Sequence, residues 1–188
     1  MYFDLKNRIY VVTGASGGIG SALVNLLNKE GAELFLIDTD QTSLDQLKKE
    51  QATHQNQNYF INSNLKDFKE ITDNLQKPIS GIIHLAGQLE SDNVTSNKKP
   101  IWERAIQNNL TNAYDIIENL IPFFDKNIIG KIILTSSLAY RRGGFDFIPY
   151  TASKGGITGL VRAYSRKLAP EILVNGLAPG IIDTKMPI

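Results

Sequence analysis

The sequence predicts an α/β fold, a doubly wound parallel sheet with helices on both faces, from three observations. Short apolar runs alternate with stretches of helical hydrophobic spacing along the whole chain. A glycine-rich turn joins the first apolar run to the first helix, and neither an internal repeat nor a clear interdomain linker breaks the alternation. At 188 residues, with 42% hydrophobic and 21% charged residues, a single domain spanning 1–188 can bury a sizeable core.

Residues 8–13 (RIYVVT) form the first apolar run, as expected of a strand buried on both faces, and Gly14 ends it. Over 18–29, Ile19, Leu23, Leu26 and Leu27 recur at helical spacing, and Gly31 stops that helix. The second strand runs over 33–37 and ends at Asp38. A helix over 42–51, a strand near 59–61, a helix near 67–75 and a strand at 81–85 follow. Next come a long helical stretch over 101–124, a strand at 131–135, a helix over 150–168 and a last strand at 172–175. The polar segments 51–58 and 90–100 read as surface loops.

Composition removes several classes of function. A net charge of +1 gives no electrostatic reason for a nucleic-acid partner. With no cysteine there are no disulfides, thiolate catalysis or cysteine-ligated zinc, and His54 and His84 are too far apart in sequence to make a metal-ligand pattern. No apolar run is long enough to span a membrane, and MYFDLKNR lacks the hydrophobic core of a signal peptide, so a cytoplasmic location is the default.

The stretch from Ser137 to Lys154 carries the candidate chemistry. Tyr150 and Lys154 are four apart, which on a helix stacks phenol and ammonium on one face. A phenol titrates near pH 10 and needs a neighbouring cation before it can act as a base at neutral pH. Lys154 is placed to supply that charge. Ser137, at the end of KIILTSS, is placed to hydrogen-bond a carbonyl or alcohol oxygen that Tyr150 protonates or deprotonates. A lone tyrosine and lysine at this spacing are usually a core residue and a solvated charge. Here a strand, glycine turn and helix upstream match the context of a dinucleotide fingerprint, and Pro179-Gly180 follows a strand-like run downstream.

At these residues the chain resembles the short-chain dehydrogenase/reductase family. The resemblance rests on TGASGGIG (13–20), HLAG (84–87), Asn109, the Ser137, Tyr150 and Lys154 set, and NGLAPG (175–180), and it covers the whole chain. It implies a Rossmann-type fold and hydride transfer between a nicotinamide and a small alcohol or ketone. Tyr150 would be the general acid/base, Lys154 would lower its pKa and hold the nicotinamide ribose, Ser137 would orient the substrate oxygen, and Asn109 (Asn108 as fallback) would support the proton relay. The cofactor would be held by Gly14, Ser16, Gly17, Gly18, Ile19 and Gly20, by Asn64 and Leu65 at the adenine, by Ala86 and Gly87, by Tyr150 and Lys154, and by Pro179, Gly180, Ile182 and Thr184 around the nicotinamide.

Asp38, eighteen residues after Gly20, is placed to accept from both ribose hydroxyls, and its charge would repel the 2′-phosphate of NADP. Family members that use NADP usually carry a basic residue in the glycine loop or after the second strand, where this chain has Gly17 and Thr39, so NAD is the expected cofactor. Gly17 also makes the loop fit the spacing of longer, sugar-nucleotide-modifying relatives. The Ser137-to-Tyr150 step and Pro179-Gly180 favour the shorter group.

The chain departs from the family pattern at Asn64, where an aspartate is common, and at His84 and Leu85, where two asparagines are usual. His84 reads as a satisfied strand-end histidine. Tyr140, Phe145 and Phe147 stand where either a substrate wall or ordinary packing would use them, and Arg141 and Arg142 would either attract an acidic substrate or be solvated. Members of the family continue past the position of Ile188 with a substrate-covering segment and a further strand. The chain is therefore expected to be apparently truncated at the C-terminus, either as a version of a longer enzyme or as a short form that binds the cofactor without turnover. A homodimer or homotetramer through 101–124 and 150–168 is also implied.

Overall fold

The computed structural model describes residues 5–54, 56–94 and 96–184. Its order is β1 (Ile9–Thr13), α1 (Gly18–Lys29), β2 (Glu33–Asp38), α2 (Gln41–Gln51), β3 (Asn58–Asn62), α3 (Lys69–Asn74), β4 (Gly81–His84) and α4 (Lys99–Ala105). After a π turn (Ile106–Thr111) come α5 (Asn112–Leu120), a 3-10 turn (Ile121–Phe123), β5 (Gly130–Thr135), α6 (Ala139–Arg142), α7 (Ile148–Lys167) and β6 (Ile172–Leu177). Every pairing is parallel, in the order β3-β2-β1-β4-β5-β6. The strand order reverses between β1 and β4, and in open sheets of this kind a crevice opens there beyond the carboxyl ends of the strands.

Strand alternation divides the core in two. Val11, Ile37, Ile82 and Ile132 face one side, where Ile116, Ile117 and Ile157 of α5 and α7 cover them. Val12, Leu34, Leu36 and Ile83 face the other, against Val24 and Leu27 of α1. Burial on both faces is what the uninterrupted apolar strands require. No described helix is long and apolar enough to cross a membrane.

Three expected features differ. The stretch 101–124 is α4, π turn and α5 rather than one regular helix. The helix expected from Tyr150 begins at Ile148, because Pro149 is tolerated in a first turn, where its missing N–H would be unpaired anyway. The expected surface loops each contain a buried polar residue. Gln51 (2% exposed) accepts from Asn28 Nδ2 at 2.8 Å, and Asp92 is 4% exposed.

Candidate active site

At the end of β1 the chain turns sharply at Gly14, whose φ of 66° is in the left-handed region. A Cβ there would lie 2.8 Å from Ala86 N, so the glycine also lets β1 approach β4. A Cβ on Gly20 would collide with the carbonyl oxygen of Gly14 and lie 2.7 Å from that of Ala15. These close approaches shape the N-terminus of α1, whose N-cap residue, Gly17, has no side chain to cap it. The first-turn N–H groups of a helix have no intrahelical partner and carry a partial positive charge, which suits a phosphate. They open on a cavity of about 410 Å³ that Gly17, Gly18, Ile19 and Gly20 help to line. The residues present therefore fit the pyrophosphate of a dinucleotide.

Beyond the loop, Asp38 is fixed by its neighbours. Its Oδ2 accepts from Ser16 N (3.0 Å) and Ser16 Oγ (2.7 Å), and its Oδ1 from Thr39 N (2.8 Å) and Asp40 N (3.3 Å). Asn64 belongs to a second cavity of about 450 Å³, lined also by Thr39, Asp67 and Glu70 and by no lysine or arginine. Its Oδ1 accepts from Lys66 N, and its backbone carbonyl accepts from Asn112 Nδ2 at 3.3 Å.

Across the sheet lies α7, which carries two of the expected catalytic residues. Tyr150 and Lys154 line the main cavity, with Lys154 Nζ 5.7 Å from the Tyr150 ring centroid. Lys154 is 4% exposed and its Nζ donates to Thr135 O at 2.9 Å. Burial disfavours the ammonium and pushes its pKa down to about 8, so it stays mostly protonated at neutral pH. Ser137 Oγ accepts from Ala139 N at 3.2 Å, which leaves its O–H to donate into the cavity.

Asn109 does not line the cavity. It is fully buried in the π turn, an element frequent at functional sites. Its Oδ1 accepts from Gln88 N (2.6 Å), while its Nδ2 donates to Gln88 O (3.0 Å) and Ser153 Oγ (3.1 Å). Ser153 Oγ in turn donates to Tyr150 O at 2.7 Å, so Asn109 reaches the tyrosine through its backbone. Gly87 makes room for this packing: a Cβ there would be 2.9 Å from Asn109 Oδ1 and 3.0 Å from Lys154 Nζ. Asn108 bonds Gln88 Oε1 and is partly exposed.

His84 is only half satisfied. Its Nδ1 is 2.8 Å from Thr13 Oγ1, but its Nε2 is buried without a partner among the described residues. Burial, reinforced by the Lys154 charge, lowers its pKa to about 3 and keeps it neutral.

Of the other expected cofactor residues, Pro179, Gly180, Ile182 and Thr184 line the cavity, and a Cβ on Gly18 would lie 2.5 Å from Thr184 Cγ2. Ser16, Ala86 and Leu65 do not line it. Ser16 bonds Asp38, Ala86 N donates to Thr13 Oγ1, and Leu65 (2% exposed, φ 61°) packs into the core. The aromatic wall reduces to Phe147, since Phe145 is 96% exposed and Tyr140 lies outside the lining. Arg142 does line the cavity.

Sequence reasoning missed Ser136, Ser153 and Asp92. Ser136 Oγ donates to Lys154 O at 2.7 Å and so pins α7 to β5. Asp92 Oδ1 accepts from Ile148 N at 3.3 Å, holding the first turn of α7 from a segment 56 residues away. Ser136 directly precedes Ser137 in TSS and could have been found there. Asp92 stands in a polar run that gives no such signal.

Known proteins resemble the chain over nearly its whole length. A family model described as short chain dehydrogenase matches residues 8–187. A 3-oxoacyl-acyl-carrier-protein reductase of Thermotoga maritima is 29% identical over 97% of this chain and 77% of its own length. An acetoacetyl-CoA reductase of Synechocystis is 30% identical over 97% and 75%. The crystal structure of a short-chain dehydrogenase/reductase of Brucella melitensis, titled glucose/ribitol dehydrogenase, superposes with a TM-score of 0.90 at 30% identity, covering 99% of this chain and 77% of that one.

Proposed function

The chain belongs to the short-chain dehydrogenase/reductase family, and from that premise we propose that it is an NAD-dependent oxidoreductase acting on a small alcohol or ketone, with Tyr150 as general acid/base. The observation that carries the reading is a single cavity lined at one end by the glycine loop and at the other by Ser137, Tyr150 and Lys154. Hydride exchange with the substrate carbon is the chemistry a nicotinamide held here would supply. The protein handles the proton. In oxidation the Tyr150 phenolate takes the hydroxyl proton, and in reduction the phenol donates one to the carbonyl oxygen. The Lys154 ammonium lies 5.7 Å from the Tyr150 ring centroid, and Tyr150 sits in the first turn of α7, so a cation and a helix N-terminus both stand beside the phenol. The Ser137 O–H donates to the same substrate oxygen and fixes its approach.

The preference for NAD rests on charge. Asp38 would meet the adenosine ribose, and the second cavity, lined by Asp67 and Glu70, has no lysine or arginine in its lining to receive a 2′-phosphate. Like charges about 4 Å apart near a protein surface cost about 4 kcal/mol at an effective dielectric of about 20. A ribose hydroxyl reaching Asp38 shares or replaces the Ser16 hydroxyl on Oδ2.

Incubation with NAD or NADH and a panel of small alcohols and ketones, followed at the nicotinamide absorbance, tests the whole reading. The expected result is turnover that Tyr150→Phe removes while NAD still binds by calorimetry. Turnover unchanged by Tyr150→Phe would discard the role given to the phenol.

A further inference from the structure

The cavity has one feature that hydride transfer to a neutral alcohol does not require. Its lining contains two cations, Lys154 and Arg142, and no carboxylate. Lys154 is buried and committed to Thr135 O. Arg142, which also lines the cavity, is exposed, and its guanidinium has no hydrogen-bond or ion-pair partner among the described residues.

The backbone around Arg142 is held in place. Arg142 closes α6, its N–H donating to Leu138 O at 3.2 Å, and Gly143 follows with a φ of 78° that ends the helix. Gly144 N then donates to Thr151 Oγ1 at 3.2 Å, tying the turn to α7 one residue after Tyr150. At its start, α6 is anchored by Leu138 N donating to Pro179 O at 2.8 Å. The arginine therefore projects from a short, braced segment between Ser137 and Tyr150.

Its place in the sheet separates it from the dinucleotide phosphates. The glycine loop follows β1, whereas Arg142 lies beyond β5, and these two strands are two positions apart in the sheet, about 10 Å at the usual strand spacing. Leu138 and Phe147 line the same cavity. An apolar wall with one unpaired guanidinium suits a ligand with a short apolar body and an anionic end, and a guanidinium fork matches a carboxylate with two parallel hydrogen bonds.

The geometry points to a short oxo acid or hydroxy acid as the substrate class, with Arg142 holding the carboxylate while Ser137 and Tyr150 engage the reacting oxygen. This rests on the oxidoreductase reading of the same cavity and adds to it a selectivity that reading does not contain.

The test uses the full chain, NADH, and the matched pair 3-oxobutanoate and methyl 3-oxobutanoate, with wild type, Arg142→Gln and Arg142→Lys. Wild type is expected to favour the acid. Arg142→Gln should raise KM for the acid about tenfold, the size of a lost charge-assisted hydrogen bond, and change KM for the ester less than about twofold, while Arg142→Lys recovers part of the loss. Equal handling of acid and ester by wild type, or an equal effect of Arg142→Gln on both, overturns the assignment. Should neither compound turn over, NADH fluorescence in the binary complex still decides. A response to 3-oxobutanoate, absent with the ester and lost in Arg142→Gln, upholds the anion site. The same silence toward acid and ester overturns it. In that case it is the absence of turnover, with NADH bound, that counts against the oxidoreductase reading.

Discussion

The two ends of the main cavity are built from different materials. The proposed nucleotide end is built from main chain: Gly14 and Gly20 bring backbone close to backbone, the first turn of α1 presents its N–H groups, and Asp38 is fixed by Ser16, 22 residues away. The proposed catalytic end is built from side chains that meet from distant segments: Asn109 with Ser153 across 44 residues, Lys154 with Thr135 across 19, and Asp92 with Ile148 across 56. A backbone site depends on the absence of Cβ atoms. A side-chain site depends on a chain of buried hydrogen bonds, each of which can be removed singly.

The largest expected effects separate the two ends. Tyr150→Phe should lower kcat by about 10²–10⁴-fold, the usual contribution of a general acid/base, with the Kd for NAD held within about twofold. Gly20→Val should do the opposite. Its Cβ meets main-chain oxygens that no rotamer change can avoid, and an overpacking cost of about 1–3 kcal/mol falls on the loop itself. The Kd for NAD, read by calorimetry, is expected to rise about 10- to 100-fold, and an unchanged Kd would mean that the loop does not hold the dinucleotide.

The same division explains what could be read from the chain. Helix 18–29, the turn at Gly14 and the parallel order of strands follow from local patterns, since glycine spacing and hydrophobic period are properties of adjacent residues. The Tyr150–Lys154 pair was also legible, because both residues lie on one helix. The π turn at Asn109 was not, since IQNNLT carries nothing that distinguishes an extra residue per turn from an ordinary helix. Nor was the burial of Asp92, whose neighbours Ser91 and Asn93 mark a loop, and whose partner Ile148 becomes apparent only once the sheet has assembled. Phe145 misleads in the other direction: it is apolar and sits between Ser137 and Tyr150, yet it is 96% exposed.

An effect of intermediate size comes from burying Lys154. Its folded pKa of about 8 lies below the ordinary 10.5. Between those values the unfolded chain binds the proton and the folded chain does not, so stability falls as pH drops through the window, and the full cost is present below pH 8. The difference of about 2.5 pKa values corresponds to about 3 kcal/mol. Lys154→Met should therefore be the more stable protein at pH 7 in urea denaturation, by up to that amount less the lost bond to Thr135 O. Its advantage should fade toward pH 10. A constant advantage across the range would show that the ammonium carries no such cost. No comparable trade is expected at the nucleotide end, where the elements are glycines and N–H groups.

The smallest effect expected is also the most local. Asp92 Oδ1 accepts from Ile148 N, the first residue of α7; the N-cap residue Phe147 contributes no side-chain bond and Pro149 has no N–H to satisfy. Removing the carboxylate with Asp92→Ala leaves one N–H unpaired beside the turn that carries Tyr150. Loss of a helix cap of this kind costs about 1 kcal/mol. Asp92→Asn keeps an acceptor oxygen and should recover most of that. Because the bond acts on one helix end, the change should appear as faster amide exchange at Ile148 and Thr151, with Gly18 to Gly20 unaltered, and as a kcat reduced severalfold without a change in the Kd for NAD. Equal acceleration of exchange at both ends of the cavity would mean that Asp92 supports the domain as a whole, and the separation between a main-chain end and a side-chain end would then not hold at this residue.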